Sequence, residues 1–137
     1  MGGTAGLHAA SRRPEIKAIV LDSAPADVKD ALRARARFAL ATYVAQRVAE
    51  RVVKVKISNL QPLLWLSQFA PRPSLIVQGL ADHTLGHDPG HRLYAAAGKN
   101  ATLWLEPGQR HMAMAEDVPE RYERRLIDFF DEAYTNS

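Results

Sequence analysis

A chain of 137 residues with 47% apolar and 24% charged residues has the composition of one ordinary globular domain. It contains no cysteine, which excludes disulfides and thiolate-bound metals, and no run approaches the ~18 apolar residues of a membrane span. The net charge of +3 argues only weakly for an acidic partner, and the first residues lack the basic start and apolar run of a signal peptide, so a cytoplasmic protein is the default expectation.

The chain opens MGGTAGLHAA, with small residues leading into a short Ala-rich helix over 4–12 that Pro14 stops. IKAIVLD (16–22) follows as the first of three apolar runs; the others are SLIVQGL (74–80) and ATLWLEP (101–107). Their apolarity is continuous rather than alternating, which suits parallel strands covered on both faces. Residues 27–56 form a long segment rich in Ala, Arg and Val, and 57–73, with three prolines, read as an irregular connection. The last helix is expected over 118–134. Asp117 is placed to cap it with Glu120 three residues on, and Tyr122, Leu126, Phe129, Phe130 and Ala133 share one face. Helices alternating with strands imply an α/β fold with right-handed crossovers.

These stretches resemble the second half of an α/β-hydrolase, in the esterase, acyl-hydrolase and serine-peptidase-like branch. That family holds its nucleophile in a G-x-S-x-G elbow, with acid and histidine following in that order. MGGTAGLHAASRRPEIKAIVLDSA looks like the segment after the nucleophile, SLIVQGLADHTLG like the strand and loop that present the acid, and LWLEPGQRHMAM like those that present the histidine. YERRLIDFFDEA looks like the closing helix. The resemblance implies a three-layer partial fold of about three parallel strands with flanking helices. Asp82 would be the acid that orients the histidine, and His111 the general base. Met1, Gly2 and Gly3 would be the remnant of the elbow and oxyanion hole, with the serine position falling just before Met1. The family commonly has a small residue before the histidine, and here it is Arg110. No cofactor is implied. The substrate would be a small acyl compound, an ester, thioester or amide, turned over only if an N-terminal half completes the site. Segment 27–70 would be a lid or insert.

Other residues admit further chemistry. His83, His87 and His91 are spaced four apart, but Gly86, Pro89 and Gly90 interrupt a helix there, so a polar loop is favoured over a metal site. Lys29, Arg33, Arg37, Arg47 and Arg51 fall in one helical arc about 80° wide, with Leu40 and Val44 inside it. That pattern suits a solvated face, and nucleic acid is disfavoured because no aromatic falls among the basic residues of the arc. Ser23 lacks elbow glycines and Thr4 lies inside a helix, so neither is favoured as a substitute nucleophile. The strand at 16–22 is expected to leave an open edge that pairs with a second copy or with an N-terminal partner. Two rival readings stay open: a non-catalytic interaction module, and one half of a split hydrolase.

Overall fold

The structure, a computed structural model, describes residues 2–27, 43, 47, 48, 50, 51, 60–85 and 88–135. Helix α1 (Gly2–Ser11) leads through a turn to β1 (Ile19–Asp22). Helix α2 (Pro62–Phe69) precedes β2 (Ser74–Gly79), and α3 (Pro89–Ala97) precedes β3 (Ala101–Glu106). A short α4 (Met114–Asp117) and the long α5 (Pro119–Thr135) close the chain.

The three strands form one parallel sheet in the order β1-β2-β3. Ile19 pairs with Ser74, Val77 with Trp104 and Gly79 with Glu106. Every residue of β2 is buried, as a central strand covered on both faces must be. Alternation of side chains along the strands divides the core in two. On one face Leu21 and Ile76 pack with Leu7 and Ala10 of α1, with Trp65, Leu66 and Phe69 of α2, and with Leu93 and Ala97 of α3. On the other, Leu75 and Val77 pack with Met114, and Val20, Trp104, Val118, Tyr122, Leu126 and Phe129 join them. The result is helix, sheet and helix in three layers. Among the described residues, β1 is paired on one side only. Among the same residues, no helix is long and apolar enough to cross a membrane.

Three expectations from the sequence need correction. The stretch 57–73 is not irregular throughout, since Pro62–Phe69 is helical. Pro62 stands in the first turn, where its fixed φ and missing N–H favour a helix start, and only Pro71 and Pro73 end the segment. The first strand begins at Ile19 rather than 16, because the Ile16 N–H donates to the Arg13 carbonyl and closes a turn instead. Asp117 ends α4 and faces Arg110 at 3.9 Å, so it does not cap α5. Pro119 takes the first position of α5, and the Val118 carbonyl accepts the Tyr122 N–H.

Of the basic arc, Lys29, Arg33, Arg37, Leu40 and Val44 lie outside the described residues, as does most of the 27–70 insert. Arg47 is exposed, pairs with Glu50 at 3.7 Å and lies 5.8 Å from the Tyr43 ring centre.

Candidate active site

Parallel strands send their C-terminal ends to one edge of the sheet, and the loops after β2 and β3 meet there. The β2 loop turns at once: the Asp82 N–H donates to the Gly79 carbonyl at 3.2 Å. Two further bonds tie it to the β3 loop. The Leu80 N–H donates to the Glu106 carbonyl at 2.9 Å and the Ala81 N–H to the Gln109 carbonyl at 3.0 Å. Glycine at 79 makes this approach possible. A Cβ there would lie 2.6 Å from the Gln109 carbonyl carbon and 3.0 Å from the Arg110 carbonyl oxygen, and both are backbone atoms. At the neighbouring rung the Gln78 side chain accepts the Gly90 N–H, which fixes the start of α3 against the same strand end.

These loops bring Asp82 and His111 together. His111 Nδ1 lies 2.7 Å from Asp82 Oδ2, and the Asp82 side chain is fully buried while His111 keeps 26% of its surface exposed. Asp82 Oδ1 accepts the backbone N–H groups of Thr84 (2.8 Å) and Leu85 (3.1 Å). Oδ1 is filled by two backbone donors, and where Oδ2 accepts from the ring the proton of the contact is carried by Nδ1. That tautomer leaves a lone pair on Nε2, which is the form a general base requires.

A second set of bonds lies beside the first. Ser23 follows β1 with φ 48°, and Met112 follows the histidine with φ 56°, both in the left-handed region. The Met112 N–H donates to Ser23 Oγ at 3.1 Å. Ser23 Oγ–H donates to Asp22 Oδ1 at 2.9 Å, and the Tyr122 hydroxyl donates to Asp22 Oδ2 at 2.8 Å. The serine hydroxyl is thus engaged on both sides and buried. Thr4 is buried in α1, and its Oγ1 makes no hydrogen bond among the described residues.

In solved structures the same arrangement of strands and helices recurs. An esterase from Pyrococcus furiosus superposes with a TM-score of 0.70 over 95% of this chain at 15% identity. The α/β hydrolase GrgF from Penicillium sp. sh18 superposes over 96% of the chain at 14% identity and TM-score 0.63. The fold is that of the α/β hydrolases. The acylaminoacyl peptidase of Pyrococcus horikoshii matches 95% of the chain at 17% identity and TM-score 0.66, and the Paleococcus ferrophilus monoacylglycerol lipase 96% at 15% and 0.64. The chain spans only 49% of the esterase, 22% of the peptidase and 65% of the lipase. No protein-family model matches the sequence, and no curated protein does.

Within this α/β-hydrolase fold the sequence-derived residues divide. Asp82 and His111 are in direct contact. Met1 lies outside the described residues, as do Gly86 and His87 of the histidine-rich loop. His83 stands in the turn after β2 and His91 in α3. Gly2 and Gly3 are the first residues of α1. A Cβ at Gly2 would meet nothing within 4 Å, and one at Gly3 would touch the Ala24 Cβ at 3.6 Å, an ordinary contact. Packing among the described residues therefore does not demand glycine at either position. Arg110 points to Asp117 at 3.9 Å with a largely exposed side chain.

The sequence assigns no site role to Gly79 or Asp22, and it places Tyr122 on the packed face of the last helix without its bond to Asp22. For Gly79 the signal was a glycine ending an apolar strand three residues before an acid; for Asp22 it was a carboxylate closing the strand and followed by serine.

Burial, then the hydrogen bond to Asp22 and its charge, push the Tyr122 phenol well above its ordinary value of 10.0. The folded protein therefore keeps this proton while the unfolded chain releases it near pH ~10. The stabilisation is complete below that pH and is lost as pH rises beyond it. Melting curves collected at increasing alkalinity are expected to fall more steeply for the natural protein than for Tyr122→Phe; parallel curves would contradict the assignment.

Proposed function

We propose that this chain supplies the acid and the base of a serine hydrolase that cleaves ester, thioester or amide bonds in the cytoplasm. The observation that supports the reading is the 2.7 Å contact between buried Asp82 and half-buried His111 at the C-terminal edge of a parallel sheet. In this reaction His111 Nε2 takes the proton of a serine hydroxyl as that oxygen attacks the acyl carbon. It then returns the proton to the departing alcohol, thiol or amine, and water repeats the sequence to free the acid. Asp82 holds the ring and stabilises the imidazolium. None of the serines here, at 11, 23, 58, 67, 74 and 137, stands in a G-x-S-x-G context. The nucleophile and oxyanion donors would come from a segment outside these residues. The esterases, the peptidase and the lipase of like fold all act on acyl compounds, which fits this substrate class.

The decisive experiment begins with the reading frame upstream of the Met1 codon. A protein extended to an in-frame G-x-S-x-G is expected to react with a fluorophosphonate and to hydrolyse acyl esters, while the 137-residue chain does neither. In the extended protein, His111→Ala should lower kcat by 10⁴- to 10⁶-fold, on the order found for such residues. Stoichiometric labelling of the short chain, or full activity in His111→Ala, would refute the proposal.

The unpaired side of β1 favours a second reading, in which the chain associates with another copy or with a separate complementing half. A single monomeric peak in size-exclusion runs across concentrations would exclude self-association, and activity that arises only on mixing two chains would identify a split hydrolase.

A further inference from the structure

We infer that Asp22, Ser23 and Tyr122 form a directional hydrogen-bond clamp that positions His111 by holding the backbone of the residue after it. The inference rests on the reading of His111 as the base, but its geometry stands independently.

The direction of each bond follows from chemistry. A backbone N–H can only donate, so Ser23 Oγ must accept from Met112. The serine proton is then free to go elsewhere, and it goes to Asp22 Oδ1. The second Asp22 oxygen accepts the Tyr122 hydroxyl. Asp22 therefore accepts at both oxygens, and the whole set runs one way, from Met112 and Tyr122 inward to a single carboxylate. Ser23 is itself fixed, because its N–H donates to the Val77 carbonyl on β2 at 2.9 Å. The clamp thus joins the ends of β1 and β2, the histidine loop and α5.

Its position matters for the histidine. Asp82 fixes the ring through Nδ1. The loop before the ring is tied at the Gln109 carbonyl, and the loop after it at the Met112 N–H. Without the second tie the left-handed Met112, a residue 63% exposed, has no other fixed polar partner for its N–H among the described residues. The Ala113 N–H to Arg110 carbonyl bond (3.3 Å) would still close the turn around the ring, which would be freer to pivot about the Asp82 bond. A serine with an acidic neighbour suits the clamp better than a larger residue, since the Oγ must reach Met112 from a positive-φ backbone. Ser23 consequently serves as an acceptor for the loop and not as a nucleophile.

The test reads the imidazole directly in the 137-residue chain, with no substrate needed. Nitrogen-15 and proton NMR of labelled histidine should show His111 as the Nδ1–H tautomer with a low-field, exchange-protected proton. Ser23→Ala is expected to shift that proton upfield and broaden it or lose it. Tyr122→Phe, which removes only the distant donor, should produce a smaller change in the same direction. Arg72→Lys weakens the fold at the opposite end of the strands and should leave the resonance in place. Should Ser23→Ala fail to fold, Tyr122→Phe carries the test. An unmoved resonance in every folded clamp variant would overturn the inference, and so would a shift in Arg72→Lys as large as that in the clamp variants. Failure of the extended protein to hydrolyse esters would sink the hydrolase reading while leaving these spectra intact, so the two claims fail separately.

Discussion

Alanine at position 79 is expected to part Asp82 from His111. The added methyl would stand 2.6 Å from the Gln109 carbonyl carbon and 3.0 Å from the Arg110 carbonyl oxygen. Neither is the tip of a pliable side chain, so a whole loop would have to retreat. The loop cannot do so freely, because Leu80 and Ala81 donate to the Glu106 and Gln109 carbonyls across the same gap. Overpacking of this kind costs about 1–3 kcal/mol, and the retreat carries the histidine with it. Urea denaturation should show the loss of stability, and the low-field imidazole proton should vanish. Unchanged stability together with an intact proton would show that the loops tolerate a wider separation than their hydrogen bonds imply.

The second large effect is expected at the other end of the sheet. Arg72 precedes β2, and its guanidinium reaches four backbone carbonyls. Nε donates to Phe69 at 3.0 Å, Nη1 to Arg13 and Ile16 at 2.8 Å each, and Nη2 to Ala10 at 3.1 Å. It also stacks 3.9 Å from the centre of the Phe69 ring. The group therefore ties the end of α1, the following turn and the end of α2 to one point. Bonds from a charged donor are worth about 1.5–3 kcal/mol each but do not add. Arg72→Ala should cost roughly 3–4 kcal/mol, a large share of the ~5–15 kcal/mol that stabilises a typical domain. Thermal melting would register it as a fall of about 10–15 °C. Arg72→Lys should recover only part of the loss, because an ammonium cannot span four acceptors as a planar fork does. A fall of only a degree or two in Arg72→Ala would mean that water replaces these bonds at little cost.

Much of this was legible in the sequence, for identifiable reasons. The strands declared themselves as continuous apolar runs, and Ser74–Gly79 matches its expected run nearly end to end; but only this central strand is buried throughout, while β1 and β3 are partly exposed. Asp82 and His111 stand out through their family-like surroundings, and the structure brings them into contact; a separation of 29 residues says nothing by itself about that contact. The helix Pro62–Phe69 was hidden because proline counts against a helix everywhere except at its start. Asp117 was misread as a cap for a related reason: the sequence DVPE offers two possible starts, and proline chose the later one. The bonds from Ser23 to Met112 and from Tyr122 to Asp22 span 89 and 100 residues, and no local pattern can announce them. Gly79 became meaningful only when the register placed it opposite Glu106.

That register has a consequence for how such a chain can change over time. The loops carrying Asp82 and His111 leave adjacent strands in the same direction from the paired residues Gly79 and Glu106, so the spacing of the sheet and the bonds between the two loops set the distance between them. Of the connection between the two strands, the turn through Thr84 and Leu85 holds the Asp82 carboxylate, while helix α3 beyond its first residues contributes length but no contact to the pair. A lineage, or an engineer, could lengthen that connection or replace its outer surface without retuning the pair. The residues it cannot vary are the few that let two loops touch, and of those the smallest side chain, at Gly79, carries the tightest constraint.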